Sequence, residues 1–369
     1  MKSGENLKMN ENILVTKPFI PPLKEYNNYL KKIWKSGVLT HNGPLVQKLE
    51  KNLIDKYNLN NILCLNNGTL AIHLSIKALE LNGEIITTPF TFIATISSII
   101  WEKCTPVFVD INPETFNIDE NKIEDKINKN TKAILAVHVF SNPCNIEKIE
   151  EIAKKYNLKT IYDAAHAFSV NYKEKSILNY GDISTVSFHA TKLFNTGEGG
   201  ACVSKDILTF DKLKALRFFG YDENKLISSE GTNAKMIELQ AAMGLSIFPY
   251  IEKILEDRKK KYFKYIKALQ KVSWINFQKI NENSYNFSYM PVLLDSEQRL
   301  LKIIKKLNEN YIFPRRYFSP SLDEIELINP KKNFCPISRR ISKKILCLPL
   351  YYDLEFSQIE KICRLMAEI

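Results

Sequence analysis

Lys192 lies in the stretch Ser187-Phe188-His189-Ala190-Thr191-Lys192-Leu193-Phe194-Asn195-Thr196-Gly197-Glu198-Gly199-Gly200, downstream of an apolar run that ends in Asp163-Ala164-Ala165-His166. An acid at a strand end, followed by a lysine in a loop of small residues, is what a pyridoxal phosphate site requires. The amine forms an imine with the aldehyde, and the carboxylate keeps the pyridine nitrogen protonated so that the ring withdraws electrons. A lysine between apolar segments is costly unless it is neutralised, paired or used covalently. A buried, unpaired aspartate is costly too, and a pyridinium nitrogen would be its partner.

Three further pieces of sequence fit the same site. Asn66-Asn67-Gly68-Thr69 precedes a helical pattern at Leu70. Glycine there lets the backbone approach an anion, and the exposed amides and helix dipole favour a phosphate. Ser187 offers a hydroxyl to that phosphate. Phe92, just past a strand end, can stack on a planar ring, and His166, one turn beyond Asp163, can reach the ring's phenolic oxygen. Taken singly, each has a plainer reading: a helix cap, a packed core ring, a satisfied core histidine.

The elements that must position these groups alternate. Strand candidates are Ile62–Leu65, Glu84–Thr88, Pro106–Asp110, Ala133–Val139, Thr160–Tyr162, Ile183–Phe188 and Ala201–Ser204; Leu70–Leu81, Phe92–Trp101 and Ile146–Tyr156 show helical spacing between them. The alternation predicts a mostly parallel α/β sheet with helices on both faces, and ligands at the carboxyl ends of its strands. A helical pattern then runs from Met236 towards Ala268, kinked at Pro249. We place a boundary there: a large unit, 1–245, with an N-terminal arm and first helix over Asn10–Ser36, and a small α+β unit, 246–369. The small unit has strand candidates at Trp274–Phe277 and Phe287–Leu294 and helices at Glu297–Asn310 and Gln358–Ile369.

Composition narrows the class. At 369 residues the chain suits one large domain plus a smaller one, and 45% hydrophobic with 25% charged residues is ordinary for a globular protein. No apolar stretch reaches the length of a membrane span, and the polar start Met1–Asn6 lacks the core of a secretion signal. The seven scattered cysteines form no C-x-x-C pair. Reduced thiols in a cytoplasmic protein account for them, and no metal is expected. The net charge of +11 comes from lysines spread through the whole chain. It reads as solvated faces, with Arg258-Lys259-Lys260-Lys261 on the exposed side of a long helix, rather than as a nucleic-acid surface.

The combined motifs resemble the sugar aminotransferases of the DegT/DnrJ/EryC1/StrS family, on the fold type I scaffold, over nearly the whole chain. Val38–Pro44, Pro106–Ile111, Val137–Phe140, Gly231–Met236 and Cys347–Tyr351 also resemble family segments. The resemblance implies Lys192 as the Schiff-base lysine, Asp163 as the pyridine-nitrogen partner, His166 near the ring hydroxyl and Phe92 as the stacking aromatic. It implies Gly68, Thr69, the Leu70 amide and Ser187 as the phosphate cradle, and Asn233 reaching the neighbouring subunit's cofactor across a homodimer. Within the family, Ser187–Thr196 looks most like the viosamine-type enzymes. These move an amino group from L-glutamate to the C4 ketone of dTDP-4-keto-6-deoxyglucose, by way of pyridoxamine phosphate, for surface polysaccharide. Amination at C3, a UDP- or GDP-linked sugar, or a non-catalytic cofactor-binding regulator are the alternatives. Ser141 and Ser169 stand where many members have glycine, and Lys235 where many have arginine. Arg315-Arg316-Tyr317 is a candidate contact for the diphosphate or base.

Overall fold

The structure, a computed structural model, describes residues 12–369; Asn10 and Glu11 of the expected arm lie outside the described residues. Seven strands form the central sheet: β1 (Asn61–Leu65), β2 (Glu84–Thr87), β3 (Thr105–Phe108), β4 (Thr131–Val137), β5 (Lys159–Asp163), β6 (Ile183–Ser187) and β7 (Gly200–Ser204). Their order is β1-β7-β6-β5-β4-β2-β3. Only β7 runs against the others, pairing antiparallel with both β1 and β6. The expected mostly parallel sheet is therefore present, with a single reversed strand immediately after the lysine loop.

Alternation along each strand explains the two covered faces. In β4, Ile134 and Ala136 join one apolar core while Ala133, Leu135 and Val137 join another. In β7, Ala201 and Val203 face the first core and Cys202 the opposite side. Helices α1 (Leu23–Ser36), α2 (Pro44–Tyr57), α5 (Ile146–Tyr156) and α7 (Glu238–Ile247) line the first core; on the opposite side α3 (Gly68–Ala78) enters two clusters, one shared with α10 (Pro336–Ser342) and one with α6 (Ile207–Arg217). Helix α4 (Ile93–Trp101) lies beside α3.

After α7 a short turn through Pro249 leads into α8 (Ile251–Leu269). A three-stranded antiparallel sheet follows, β8 (Ile275–Phe277), β9 (Met290–Leu294) and β10 (Ile345–Leu348), with α9 (Glu297–Glu309) and α11 (Phe356–Ala367) in its core. Strand β9 is shorter than the Phe287–Leu294 read from the sequence, because Phe287 takes a positive φ of 54° and interrupts extended backbone.

The basic run on α8 is corrected. Lys259 and Lys260 are exposed, but Arg258 and Lys261 are each 3% exposed. Arg258 Nη1 donates to the carbonyls of Ser288 (3.1 Å) and Leu350 (3.0 Å), and Lys261 pairs with Asp257 and the carbonyls of Tyr351 and Tyr352. The helical period brings positions 258 and 261 round to the face that meets the small sheet, where they tie down carbonyls that lack ladder partners.

Ser141 and Ser169, the two departures from glycine, have φ of 76° and 63°. Both sit in the left-handed region where a Cβ is penalised. Ser169→Gly is expected to raise stability by up to about 1 kcal/mol, the relief of that penalty exceeding the added unfolded-state freedom. In thermal melts this should appear as a Tm gain of about 1–3 °C.

Candidate active site

A cavity of about 490 Å³ opens at the carboxyl ends of the central strands. Strand register sets its floor. Asp163, last in β5, lies opposite Thr185 of β6, and Ser187 comes two residues further along the same strand, on the same side. Thr185, Ser187 and Asp163 all line the cavity.

Asp163 is 6% exposed. Its Oδ2 accepts from the Thr95 hydroxyl at 2.8 Å and its Oδ1 from the Ala165 amide at 3.0 Å. Burial pushes its pKa up, against the lowering effect of these two donors and of Lys192. No cation lies within ion-pair distance of it among the described residues. A buried carboxylate with only neutral donors lacks a cationic partner, which a protonated ring nitrogen would supply.

His166 is also buried. Its Nδ1 accepts from the Phe140 amide at 3.2 Å, which leaves the proton on Nε2. Burial, aided by the Lys192 charge, holds its pKa well below the usual imidazole range. The ring is thus a neutral donor, suited to a phenolate oxygen.

Lys192 is half-buried, in a loop pinned at both ends. Phe188 donates to Gly199, Ala190 to Gly197 and Thr196 back to Phe188, while Phe188 and Phe194 anchor it edge to face at 5.1 Å. Small residues are needed: a Cβ on Gly199 would sit 2.0 Å from Thr196 Oγ1. The Lys192 amine contacts the Tyr289 hydroxyl at 3.1 Å. Burial lowers its pKa to about 8, despite the opposing pull of Asp163. About a tenth is then the free amine at pH 7, far more than for an exposed lysine.

Where α3 begins, Asn67 caps it. A Cβ on Gly68 would lie 2.9 Å from the Ser187 Cβ, and one on Gly200 would lie 2.6 Å from the Asn67 and Gly68 backbone, so the chain can pass this closely only with glycines. Gly68, Thr69 and Ser187 line the cavity, as does Phe92, 58% exposed at its rim.

Two expected members are not brought in. The Leu70 amide is taken by the Asn67 side chain at 2.8 Å, because that asparagine acts as N-cap; Leu70 itself packs with the core beneath α3. Asn233 is exposed, bonds Lys235 and does not line this chain's cavity. Arg316 is held elsewhere, by Glu297 (2.9 Å) and the carbonyls of Ser342 and Lys343 (both 3.2 Å). Tyr317, of the Arg315-Arg316-Tyr317 candidate contact, lines the cavity, as do Thr95 and Tyr289, which the sequence reading does not single out. Thr95 is one turn from Phe92, a detectable spacing; Tyr289 is 97 residues from Lys192, which no local pattern reveals.

The match to the DegT/DnrJ/EryC1/StrS aminotransferase model extends over residues 23–367. The chain belongs to this family. It is a pyridoxal phosphate-dependent aminotransferase. It is 40% identical to dTDP-4-amino-4,6-dideoxy-D-glucose transaminase of Shigella dysenteriae, over 98% of this chain and all of that one. The Escherichia coli protein of the same name is 39% identical, over 97% and 98%. Among solved structures, DesI in the presence of its TDP-sugar product aligns with a TM-score of 0.93 at 27% identity, over 98% of this chain and 93% of that one. This aminotransferase thus has the mostly parallel sheet that the alternation predicted, on the fold type I scaffold that the resemblance implied, and no helix among its described residues is long and apolar enough to cross a membrane.

Thr95→Val in this aminotransferase removes one of the two donors that favour the ionised Asp163. The carboxyl pKa should rise further, so the acidic limb of the kcat profile should move to higher pH, by roughly half a unit to one unit. Activity at neutral pH should fall modestly; pH–rate profiles of both proteins check it.

Proposed function

We propose that this aminotransferase moves the amino group of L-glutamate to the C4 ketone of dTDP-4-keto-6-deoxyglucose, giving dTDP-4-amino-4,6-dideoxyglucose, in the cytoplasm and as a homodimer. The observation that carries the reading is one cavity holding a half-buried lysine of lowered pKa and a buried, cation-free aspartate, in a chain 40% identical over its length to a transaminase of that name.

When bound, pyridoxal phosphate supplies an aldehyde carbon and an electron-withdrawing ring. Lys192 would hold it covalently, and its Nζ, as the free amine, would carry the proton to and from the substrate Cα. Asp163 would answer the ring nitrogen as a carboxylate, and His166, with its Nδ1 occupied, would donate Nε2–H to the ring oxygen. The Gly68 and Thr69 amides and the Ser187 hydroxyl would hold the phosphate, and Phe92 would cover the ring. Asn233 serves the partner's site in the dimer. That role agrees with its exposure and with the exposed apolar side chains of Trp101, Leu226 and Ile227, which a second copy would cover. The large unit, 1–245, carries these groups, and the smaller, 246–369, closes over them with Tyr289 and Tyr317.

Glutamate incubated with the enzyme and a panel of nucleotide-linked keto sugars tests the reading, with mass and NMR analysis of the product. A C4-aminated dTDP sugar is expected; amination at C3, or of a different nucleotide sugar alone, would overturn the assignment. A GDP-linked substrate is the second reading. A GDP-perosamine synthase of Escherichia coli O157:H7, 30% identical over 94% of each chain, favours it. A non-catalytic role would leave a bound chromophore that glutamate does not change.

A further inference from the structure

Tyr289 is the one hydroxyl within hydrogen-bond distance of the Lys192 amine among the described residues, at 3.1 Å. It comes from the segment leading into β9, not from the central sheet that holds the lysine. Its ring is fixed from several sides: His166 at 4.5 Å between centroids, Phe140 at 5.5 Å and Tyr317 at 6.0 Å. The neighbouring Ser288 carbonyl is held by the buried Arg258. The hydroxyl is therefore placed by packing and backbone bonding independent of the lysine.

An amine that shuttles a proton must alternate between –NH2 and –NH3+, and its partner has to suit both. A carboxylate only accepts, and would lock the amine in its charged form. A phenol accepts from the ammonium and donates to the free amine, without moving. Burial keeps this phenol protonated. Resting on the reading of Lys192 as the proton carrier, we infer that Tyr289 is a positioning residue that holds the Lys192 amine over the reacting carbon in both of its protonation states.

Tyr289→Phe tests this, since the ring and its packing remain. In the cofactor-free protein, Lys192 reactivity towards acetic anhydride across pH, read by peptide mass, gives the amine's midpoint. Asp163, His166 and Tyr317 also face Lys192 and are unchanged in the variant. Loss of the acceptor should lower the midpoint by about one pH unit, because a hydrogen bond to a charged group is stronger than one to a neutral group. In the loaded enzyme, the glutamate half-reaction should slow roughly tenfold or more with KM nearly unchanged. The primary isotope effect with Cα-deuterated glutamate should grow as proton transfer becomes limiting. An unshifted midpoint, or wild-type rate and isotope effect in the variant, overturns the inference. If the wild-type enzyme itself shows no glutamate-dependent turnover, the reading of Lys192 falls, and the cofactor-free midpoint still decides whether Tyr289 governs the amine.

Discussion

Lys192→Ala is expected to reduce transamination by roughly 10⁴-fold or more, because one substitution removes both the covalent tether and the proton carrier. The fold should survive. The loop around position 192 is held by backbone bonds between Phe188, Ala190, Thr196, Gly197 and Gly199 and by buried Phe188 and Phe194, none of which needs the amine. Removing a half-buried amine from a cavity wall also leaves no buried group unpaired, since the Tyr289 hydroxyl can turn to solvent in the cavity. Release of 2-oxoglutarate from glutamate measures the loss. Borohydride reduction of the loaded wild-type enzyme, followed by peptide mapping, should place the cofactor on residue 192 and nowhere else. Near-normal turnover by the variant would refute the assignment.

Asp163→Asn should separate stability from activity. In the cofactor-free protein, burial raises the Asp163 pKa above its unfolded value. A raised folded pKa for an acid means the native state binds a proton more tightly than the unfolded chain does. Stability is then lost as pH climbs from the unfolded carboxylate range through the folded pKa, and neutral pH lies on the costly side. The amide carries no charge to desolvate, so the cofactor-free variant should melt at a higher temperature than wild type at pH 7. Turnover should move the other way, falling by roughly 10²–10⁴-fold, because a neutral amide cannot hold a ring nitrogen protonated. Cofactor should still bind through the phosphate cradle and Lys192. Melting curves without cofactor and kcat with it provide both halves. A variant less stable at pH 7, or one with full activity, would contradict this account of Asp163.

The fold was legible wherever a strand is buried on both faces. Such strands read as continuous β-branched runs between turn signals, so β1 to β7 were recognisable to within a few residues at each end. Helix α2 was missed although Leu45, Val46, Leu49 and Leu53 form a clear stripe; two other missed elements have a weak or divided signal. Helix α6 begins with Ile207 and Leu208 exposed, which blurs its apolar stripe, and β10 pairs with a strand some fifty residues earlier. The candidate site was legible where its groups share one local segment: Asp163 with His166, and Ser187 with Lys192. It was misread where capping competes for a backbone donor, as at Leu70. Tyr289 was beyond reach because its place is set by packing between two distant parts of the chain.

The pairing of β5 with β6 has a dimensional consequence. Asp163, the group proposed to answer a ring nitrogen, ends one strand, and Ser187, the hydroxyl proposed to answer a phosphate, lies two residues past its partner on the next. The span between those two functions is measured out in units of strand rise, about 3.3 Å per residue. A slip of one position would turn Ser187 and Thr185 to the opposite side of the sheet, so the gauge can change only in paired steps. The length of the molecule this cavity grips is thus written in main-chain register, which side-chain substitution cannot retune.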